Sequence, residues 1–124
     1  MRWIVDGMNV IGSRPDGWWR DRPRAMAVLV GRLEQWALTE EMEVTVVFEG
    51  PPKPPIESSV ITVAHAPAAA PNSADDEIIR IVRADPHPEQ IRVATSDNDL
   101  SARVRSAHAA VFPAERLRDL IDPR

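Results

Sequence analysis

The chain has 124 residues and no cysteine, so disulfides and thiolate metal sites are excluded. Hydrophobic residues make up 44% of it, which indicates one globular domain of ordinary size and excludes a disordered chain. The net charge of −4 excludes a global positive field that would attract nucleic acid, so any such contact depends on local basic patches.

Targeting signals are not expected from the sequence. No apolar run approaches the roughly 20 residues that a membrane helix requires. A strand pattern begins at Arg2, which leaves no room for a signal peptide. We therefore expect a cytoplasmic protein with no membrane partner.

Apolar periodicity predicts alternating strands and helices along the whole chain. The predicted strands are residues 2–6, 44–48, 60–63, 91–95 and 109–112. The predicted helices begin at Pro23, Ser73, residues 96–99 and Pro113, the first ending near Glu40 and the second before Pro86. Residues 10–22 and 65–72 are predicted to be loops. This order predicts a single α/β domain, a three-layer α/β/α sandwich around a mostly parallel sheet of about five strands.

Acidic side chains recur where predicted strands end or the following helices begin. Asp6 ends the first strand, Asp75 and Asp76 open the second helix, and Asp97 and Asp99 follow the fourth strand. The carboxyl ends of parallel strands meet at one edge of a sheet, where α/β folds bind ligands. If the first and fourth strands are neighbours, these carboxylates gather in one place.

Each acidic residue also fits a structural role when it is taken alone. Asp6 fits a turn cap, and Asp76 would complete a capping box with Ser73. Either Ser96 or Asp97 would cap the third helix. The joint placement of the acids at one edge, and not any single one, favours a functional site.

Crowded carboxylates raise each other's pKa, and a divalent cation removes that repulsion. Oxygen ligands without nearby His or Cys favour Mg²⁺ or Mn²⁺, which activates water for phosphodiester hydrolysis. We expect Gly7 to let the backbone turn sharply after Asp6. Asn9 and Ser96 are expected to bind substrate by orienting ligands or the scissile phosphate.

Three motifs carry a family resemblance, and they are Asp6-Gly7-Met8-Asn9, Ser73-Ala74-Asp75-Asp76-Glu77-Ile78 and Thr95-Ser96-Asp97-Asn98-Asp99. Together they resemble the NYN/PIN-like nuclease superfamily, in particular its YacP-like branch of small bacterial ribonucleases. The resemblance covers almost the whole chain. It implies a PIN-like, Rossmannoid fold and a metal-dependent (endo)ribonuclease that acts on RNA with Mg²⁺ or Mn²⁺.

The resemblance also implies which residues act. It assigns catalysis and metal binding first to Asp6, Asp76 and Asp97, and then metal binding to Asp75 and Asp99. Asn9 is implied as their catalytic polar partner. Whether Asp75 or Asp76 faces the metal stays open, because helical periodicity favours Asp75 whereas the family's pattern favours Asp76.

The sequence departs from the family's pattern at two positions. Glu49 stands where the family's second strand commonly ends in Phe-Asp-Gly, so its role as a further ligand stays open. Met8 stands where this branch often has Tyr, and this change is expected to weaken a stacking contact.

The loop that follows the first strand is rich in Trp and Arg and is the expected RNA-binding segment. Its predicted substrate-binding residues are Arg14, Trp18, Trp19 and Arg20. Aromatic rings stack on bases and Arg binds phosphates. The alternative is that a Trp packs beneath the loop and the Arg side chains are merely solvated. Arg103 and Arg105 form a weaker candidate patch.

Two other functions are weighed against a nuclease. One is a catalytically weak or inactive PIN-like module that binds RNA or protein, although none of the acidic positions is lost. The other is a phosphotransfer protein, but Met8 breaks the Asp-x-Asp of haloacid dehalogenase phosphatases and no receiver-type lysine follows the fifth strand. RNA is the expected partner, and a homodimer or protein partner stays open.

Overall fold

A parallel sheet of five strands forms the centre of a computed structural model that describes residues 1–68, 70 and 72–123. The strands are β1 (Arg2–Asp6), β2 (Glu43–Phe48), β3 (Thr62–His65), β4 (Ile91–Ala94) and β5 (Ala110–Phe112). Their order is β3-β2-β1-β4-β5, and every neighbouring pair is parallel. β1 is therefore central, and the predicted adjacency of the first and fourth strands is confirmed.

Helices cover both faces of this sheet. They are α1 (Gly7–Ile11), α2 (Arg22–Glu40), α3 (Ser73–Ala84), α4 (Asn98–Ser106) and α5 (Ala114–Ile121), with 3-10 turns at Trp18–Arg20 and Pro88–Gln90. The predicted α/β sandwich is confirmed. In the part of the chain that the structure describes, no helix is long and apolar enough to cross a bilayer.

Successive residues of a buried strand point to opposite faces of the sheet, and this alternation divides the core in two. Val5 and Phe48 pack with α1, α2 and α5 on one face. Ile4 and Val47 pack with α3 and α4 on the other. The two cores fix the strands, and hence the residues at their carboxyl ends, on both sides.

The segment after β1 differs from the prediction. Residues 7–11 form α1, although 10–22 was predicted as a loop, and Trp18–Arg20 forms a 3-10 turn. A helix of five residues is too short to display a periodic apolar pattern. Asp21 caps the next helix, α2, since its side chain accepts a hydrogen bond from the Arg24 backbone N–H.

β1 ends at Asp6 and α1 begins at Gly7, so the chain changes direction here as predicted, and close packing is a further reason for the glycine. It lies in α1, and a Cβ added there would come within 2.6 Å of the Phe48 ring. Glycine therefore permits close packing of α1 against the end of β2.

Two further local predictions are corrected. β3 is Thr62–His65 instead of 60–63, because Val63 pairs with Val46 of β2 in the parallel register. The capping box of α3 does not form, since Ser73 Oγ donates to the Glu49 carbonyl at 3.0 Å. That bond ties the start of α3 to the end of β2.

Candidate metal centre

At the carboxyl edge of the sheet, the charges of three carboxylates act on buried Asp6, and we call the four residues the carboxylate cluster: Asp6, Glu49, Asp75 and Asp97. Asp6 ends β1, and Glu49 follows β2. Asp75 lies in the first turn of α3, and Asp97 is the N-cap of α4. The parallel sheet thus brings residues from four separate parts of the chain to one edge.

Asp6 is the buried member of the carboxylate cluster, with 6% of its surface exposed. Burial, the largest cause, and the charges of Asp75, Asp97 and Glu49 together raise its pKa to about 7, against an opposing hydrogen bond from Thr95. Although Asp6 is the N-cap of α1, its side chain makes no capping hydrogen bond. Its ionised form is therefore poorly stabilised by the protein alone.

Asp75 and Asp76 point to different surroundings. Asp75 is half-buried, and burial and the charge of Asp97 raise its pKa, whereas Arg103 lowers it. Asp76 is exposed, and one of its oxygens lies 3.0 Å from the Arg103 guanidinium. The charge of Asp75, and not that of Asp76, acts on Asp6. Helix α3 therefore turns Asp75, and not Asp76, toward Asp6.

Thr95 connects Asp6 and Asp97 through hydrogen bonds. This role of Thr95 was not predicted from the sequence. Its hydroxyl donates to Asp6 Oδ2 at 2.9 Å and accepts from the Asp97 backbone N–H at 3.1 Å. Thr95 is 1% exposed. A polar side chain at the end of an otherwise apolar strand was the signal that could have identified it.

Asp97 has two roles at the start of α4. Its Oδ1 accepts a hydrogen bond of 2.8 Å from the Leu100 backbone N–H, which confirms the predicted cap. Its charge also raises the pKa of both Asp6 and Asp75. Asp99, two residues further along, is exposed and is not among the charges that shift either group.

Asn9 and Ser96 contact each other beside the carboxylate cluster. Asn9 Oδ1 accepts a 2.8 Å hydrogen bond from the Ser96 backbone N–H, which links α1 to the β4–α4 loop. The Ser96 hydroxyl donates to Glu115 at 2.6 Å and accepts from the Ala114 backbone N–H at 2.9 Å. Glu115, which the sequence analysis also missed, thus holds this loop against α5.

The Trp- and Arg-rich loop divides into exposed and packed residues. Trp19 is 50% exposed and Arg20 is exposed, whereas Trp18 packs partly against the core. The Trp18 and Trp19 rings meet edge to face at 5.9 Å, and the Arg22 guanidinium lies 5.3 Å from the Trp18 ring centroid. The loop thus presents one exposed ring beside basic side chains.

Arg14, in contrast, forms ion pairs with carboxylates of the last helix. Its guanidinium pairs with Asp119 and lies 2.6 Å from Asp122. Its side chain is therefore committed to holding the loop against the end of α5.

The donor set suits a hard divalent cation, since it consists of carboxylate oxygens alone. In the described residues, no group of three or more acidic, histidine or cysteine side chains is arranged to hold a metal as it stands. The poor stabilisation of ionised Asp6 is the feature that a cation would relieve. The chemistry of the site therefore fits Mg²⁺ or Mn²⁺, and binding would require the side chains to draw together.

Comparison with known proteins identifies the family. The family model described as "YacP-like NYN domain" matches residues 3–123. The chain belongs to the YacP-like NYN family. Membership indicates a nuclease-type function related to RNA, in a family that generally uses a divalent metal.

Solved structures support the fold of this YacP-like NYN domain. Rae1 (YacP) from Bacillus subtilis is 23% identical with a TM-score of 0.81, over 98% of this chain and 73% of that one. Its W164L mutant is 24% identical with a TM-score of 0.81, over 98% of this chain and 74% of that one. No curated protein sequence matches this chain significantly.

Proposed function

We propose that the chain is a metal-dependent ribonuclease that hydrolyses RNA phosphodiester bonds at the carboxylate cluster. The observation that supports the proposal is the raised pKa of the buried Asp6 carboxyl. Burial and the neighbouring carboxylates raise its pKa to about 7 at the sheet edge of a YacP-like NYN domain. A buried carboxylate that resists ionisation among other carboxylates is typical of a site that functions with a cation.

Asp6, Asp75 and Asp97 are the residues that would hold the cation, with Glu49 at the side. When bound, Mg²⁺ or Mn²⁺ would lower the pKa of a water molecule and offset negative charge on the scissile phosphate. Asp76 pairs with Arg103 outside this group, and Asp99 lies on the exposed side of α4. We therefore assign ligation to Asp75 in preference to Asp76.

The remaining residues of the site would keep these carboxylates in place. The Thr95 hydroxyl fixes one oxygen of Asp6 and also holds the Asp97 backbone. The Asn9 amide holds the loop that carries Asp97 through the Ser96 N–H. Hydrogen bonds of this kind orient ligands and tune their basicity.

We propose that RNA approaches along the segment between α1 and the end of the 3-10 turn at Trp18–Arg20. The exposed ring of Trp19 would stack on an unpaired base, and Arg20 would bind the backbone. Trp18 would support Trp19 from beneath through their edge-to-face contact. Arg14 would act on the loop's position, because carboxylates of α5 hold its guanidinium.

Incubation of a mixed RNA pool with and without Mn²⁺ tests this function. Asp97→Asn is the decisive variant, because asparagine still caps a helix and so α4 should form normally. Asp99→Asn is its matched control on the same helix turn. We expect wild type and Asp99→Asn to cleave RNA only with Mn²⁺, and Asp97→Asn to cleave none. Equal cleavage by wild type and Asp97→Asn would contradict the proposal, and RNA binding without cleavage would leave a binding module.

A further inference from the structure

A cavity of about 240 Å³ lies away from the carboxylate cluster, between α2, the loop before it and the end of α5. Its apolar lining includes Ile11 of α1, Leu29 of α2 and the half-buried Trp18. Val28, which is 39% exposed, contributes to its rim. The cavity is smaller than the roughly 300–1,000 Å³ of typical drug-sized sites, so it suits a group no larger than a nucleobase.

In the described part of the chain, two exposed carboxylates of the cavity lining, Asp16 and Asp21, each have one oxygen free to accept a hydrogen bond from a ligand. Asp16 accepts a 2.6 Å hydrogen bond from Arg118 through Oδ2, and Asp21 accepts one from the Arg24 backbone through Oδ1. Within the described residues, the other oxygen of each carboxylate has no hydrogen-bond partner, and the Arg24 guanidinium forms no ion pair. The cavity therefore offers acceptors and a cation beside an aromatic wall.

Helix α1 links the cavity to the carboxylate cluster. Asp6 directly precedes α1, and Ile11, its last residue, lines the cavity. Five steps of 1.5 Å rise place Ile11 about 7.5 Å from Asp6 along the helix axis. A nucleotide next to a phosphate bound at the carboxylate cluster is of the right size to bridge that distance.

We propose that this cavity is a nucleobase subsite that prefers a base with an exocyclic amino group. The subsite deepens, and rests on, the ribonuclease function proposed above. Trp18 supplies a ring for the base, and Asp16 or Asp21 accepts from its amino group. Cytosine offers such a donor at N4, where a uracil-type base has the O4 acceptor, which a carboxylate repels. Arg24 holds the negatively charged part of the same nucleotide.

Titration calorimetry with cytidine and uridine monophosphates, in the presence of a chelator, tests the subsite. These ligands contain no phosphodiester link between nucleotides, so binding is measured without cleavage. We expect cytidine monophosphate to bind at least about tenfold more tightly than uridine monophosphate, as one hydrogen bond exchanged for a repulsion implies. Equal affinities, or no binding of either nucleotide, would overturn the proposal.

Variants locate the binding. Val28→Phe fills the rim of the cavity, and Arg24→Gln removes the cation at an exposed position that should not affect folding. Leu38→Phe, on the same helix and 60% exposed, is the matched control. Both cavity variants should weaken cytidine monophosphate binding while Leu38→Phe does not, and unchanged binding in both would refute the subsite.

The two proposals fail separately. Asp97→Asn should retain cytidine monophosphate binding, because Asp97 is outside the cavity. Binding of the nucleotide by a protein that cleaves no RNA would keep the subsite and reject the ribonuclease. Cleavage of RNA by a protein that binds neither nucleotide would keep the ribonuclease and reject the subsite.

Discussion

The Thr95 hydroxyl donates a 2.9 Å hydrogen bond to Asp6 across 89 positions of sequence, and it accepts the Asp97 backbone N–H at the same time. One buried oxygen thereby sets the relative positions of two carboxylates that neighbouring strands bring together. The geometry of the carboxylate cluster thus depends on a residue that is itself no metal ligand in our proposal.

Thr95→Val removes this bridge while keeping the shape of the side chain. We expect RNA cleavage to fall by about 10–100-fold, as is common when a group that orients metal ligands is lost. The protein should lose about 1–3 kcal/mol of stability, because the buried Asp6 carboxyl loses a donor and the partly buried Asp97 N–H loses its acceptor. Thr95→Ser keeps the hydroxyl and should restore most of the activity. Loss of activity in Thr95→Ser equal to that in Thr95→Val would show that the hydroxyl is not responsible.

Asp6→Asn should change how stability depends on pH. The folded pKa of about 7 lies above the ordinary value of 3.8, so the folded protein holds a proton on Asp6 that the unfolded chain has released. Wild-type stability should therefore fall as the pH rises from about 4 to 7. The shift corresponds to at most about 4 kcal/mol. Urea unfolding of both proteins from pH 4 to 8, with a chelator present, measures it.

For Asp6→Asn, the test is how the free energy of unfolding changes with pH. Its absolute value is not informative, because a buried amide has its own desolvation penalty. The asparagine variant should lack the fall in stability between pH 4 and 7. Parallel stability curves for the two proteins would show that Asp6 titrates normally. Adding Mn²⁺ at pH 8 should then stabilise wild type more than the variant, since the cation relieves the charge of Asp6.

Asp75→Asn and Asp76→Asn form a matched pair one residue apart on α3. Asp75→Asn should reduce cleavage by more than about 100-fold, since loss of a ligand is more severe than loss of an outer partner. Asp76→Asn should reduce it only a few-fold, through the freed Arg103. Initial rates at saturating Mn²⁺ measure both effects. A larger loss of cleavage rate in Asp76→Asn than in Asp75→Asn would contradict our assignment and favour Asp76 as the ligand, as the family's pattern implies.

Gly7→Ala should destabilise the fold at the base of the site. The added methyl would meet the Phe48 ring at 2.6 Å, and Phe48 is fully buried, so neither can move freely. We expect a loss of about 1–3 kcal/mol, as for other overpacked cores. Gly31→Ala on α2 is the control, since nothing lies within 4 Å of its added Cβ. That change should instead stabilise the protein by up to about 1 kcal/mol, and equal effects would contradict the packing argument.

The sheet could be predicted because short apolar runs such as 44–48, bounded by turn residues, indicate buried strands. Sequence periodicity was insufficient for α1, whose five residues are too few to show a helical repeat and whose Gly7 packs closely on Phe48 from another strand. The gathering of Asp6 and Asp97 followed from strand order, since parallel neighbours share an edge.

Individual side-chain partners depend on contacts that sequence does not display. Arg14 was predicted to bind RNA, but it pairs with carboxylates 105 and 108 positions away. The orientation of Asp75 relative to Asp76 depends on how α3 docks through its Ser73 contact with the end of β2. Such details arise from tertiary packing, so residue types and spacing alone could leave them only as alternatives.

Trp19→Ala should weaken RNA binding without changing the fold. Its ring is 50% exposed, so truncation removes little core packing, and stacking on a base contributes about 1–3 kcal/mol. We expect at least about a tenfold increase in the Kd for a short single-stranded RNA, measured on the cleavage-deficient Asp97→Asn background. Leu38→Ala, which truncates another exposed apolar side chain on that background, is the control and should bind normally. Unchanged affinity in Trp19→Ala would remove this loop from the proposed RNA path, because no other ring in it is as exposed.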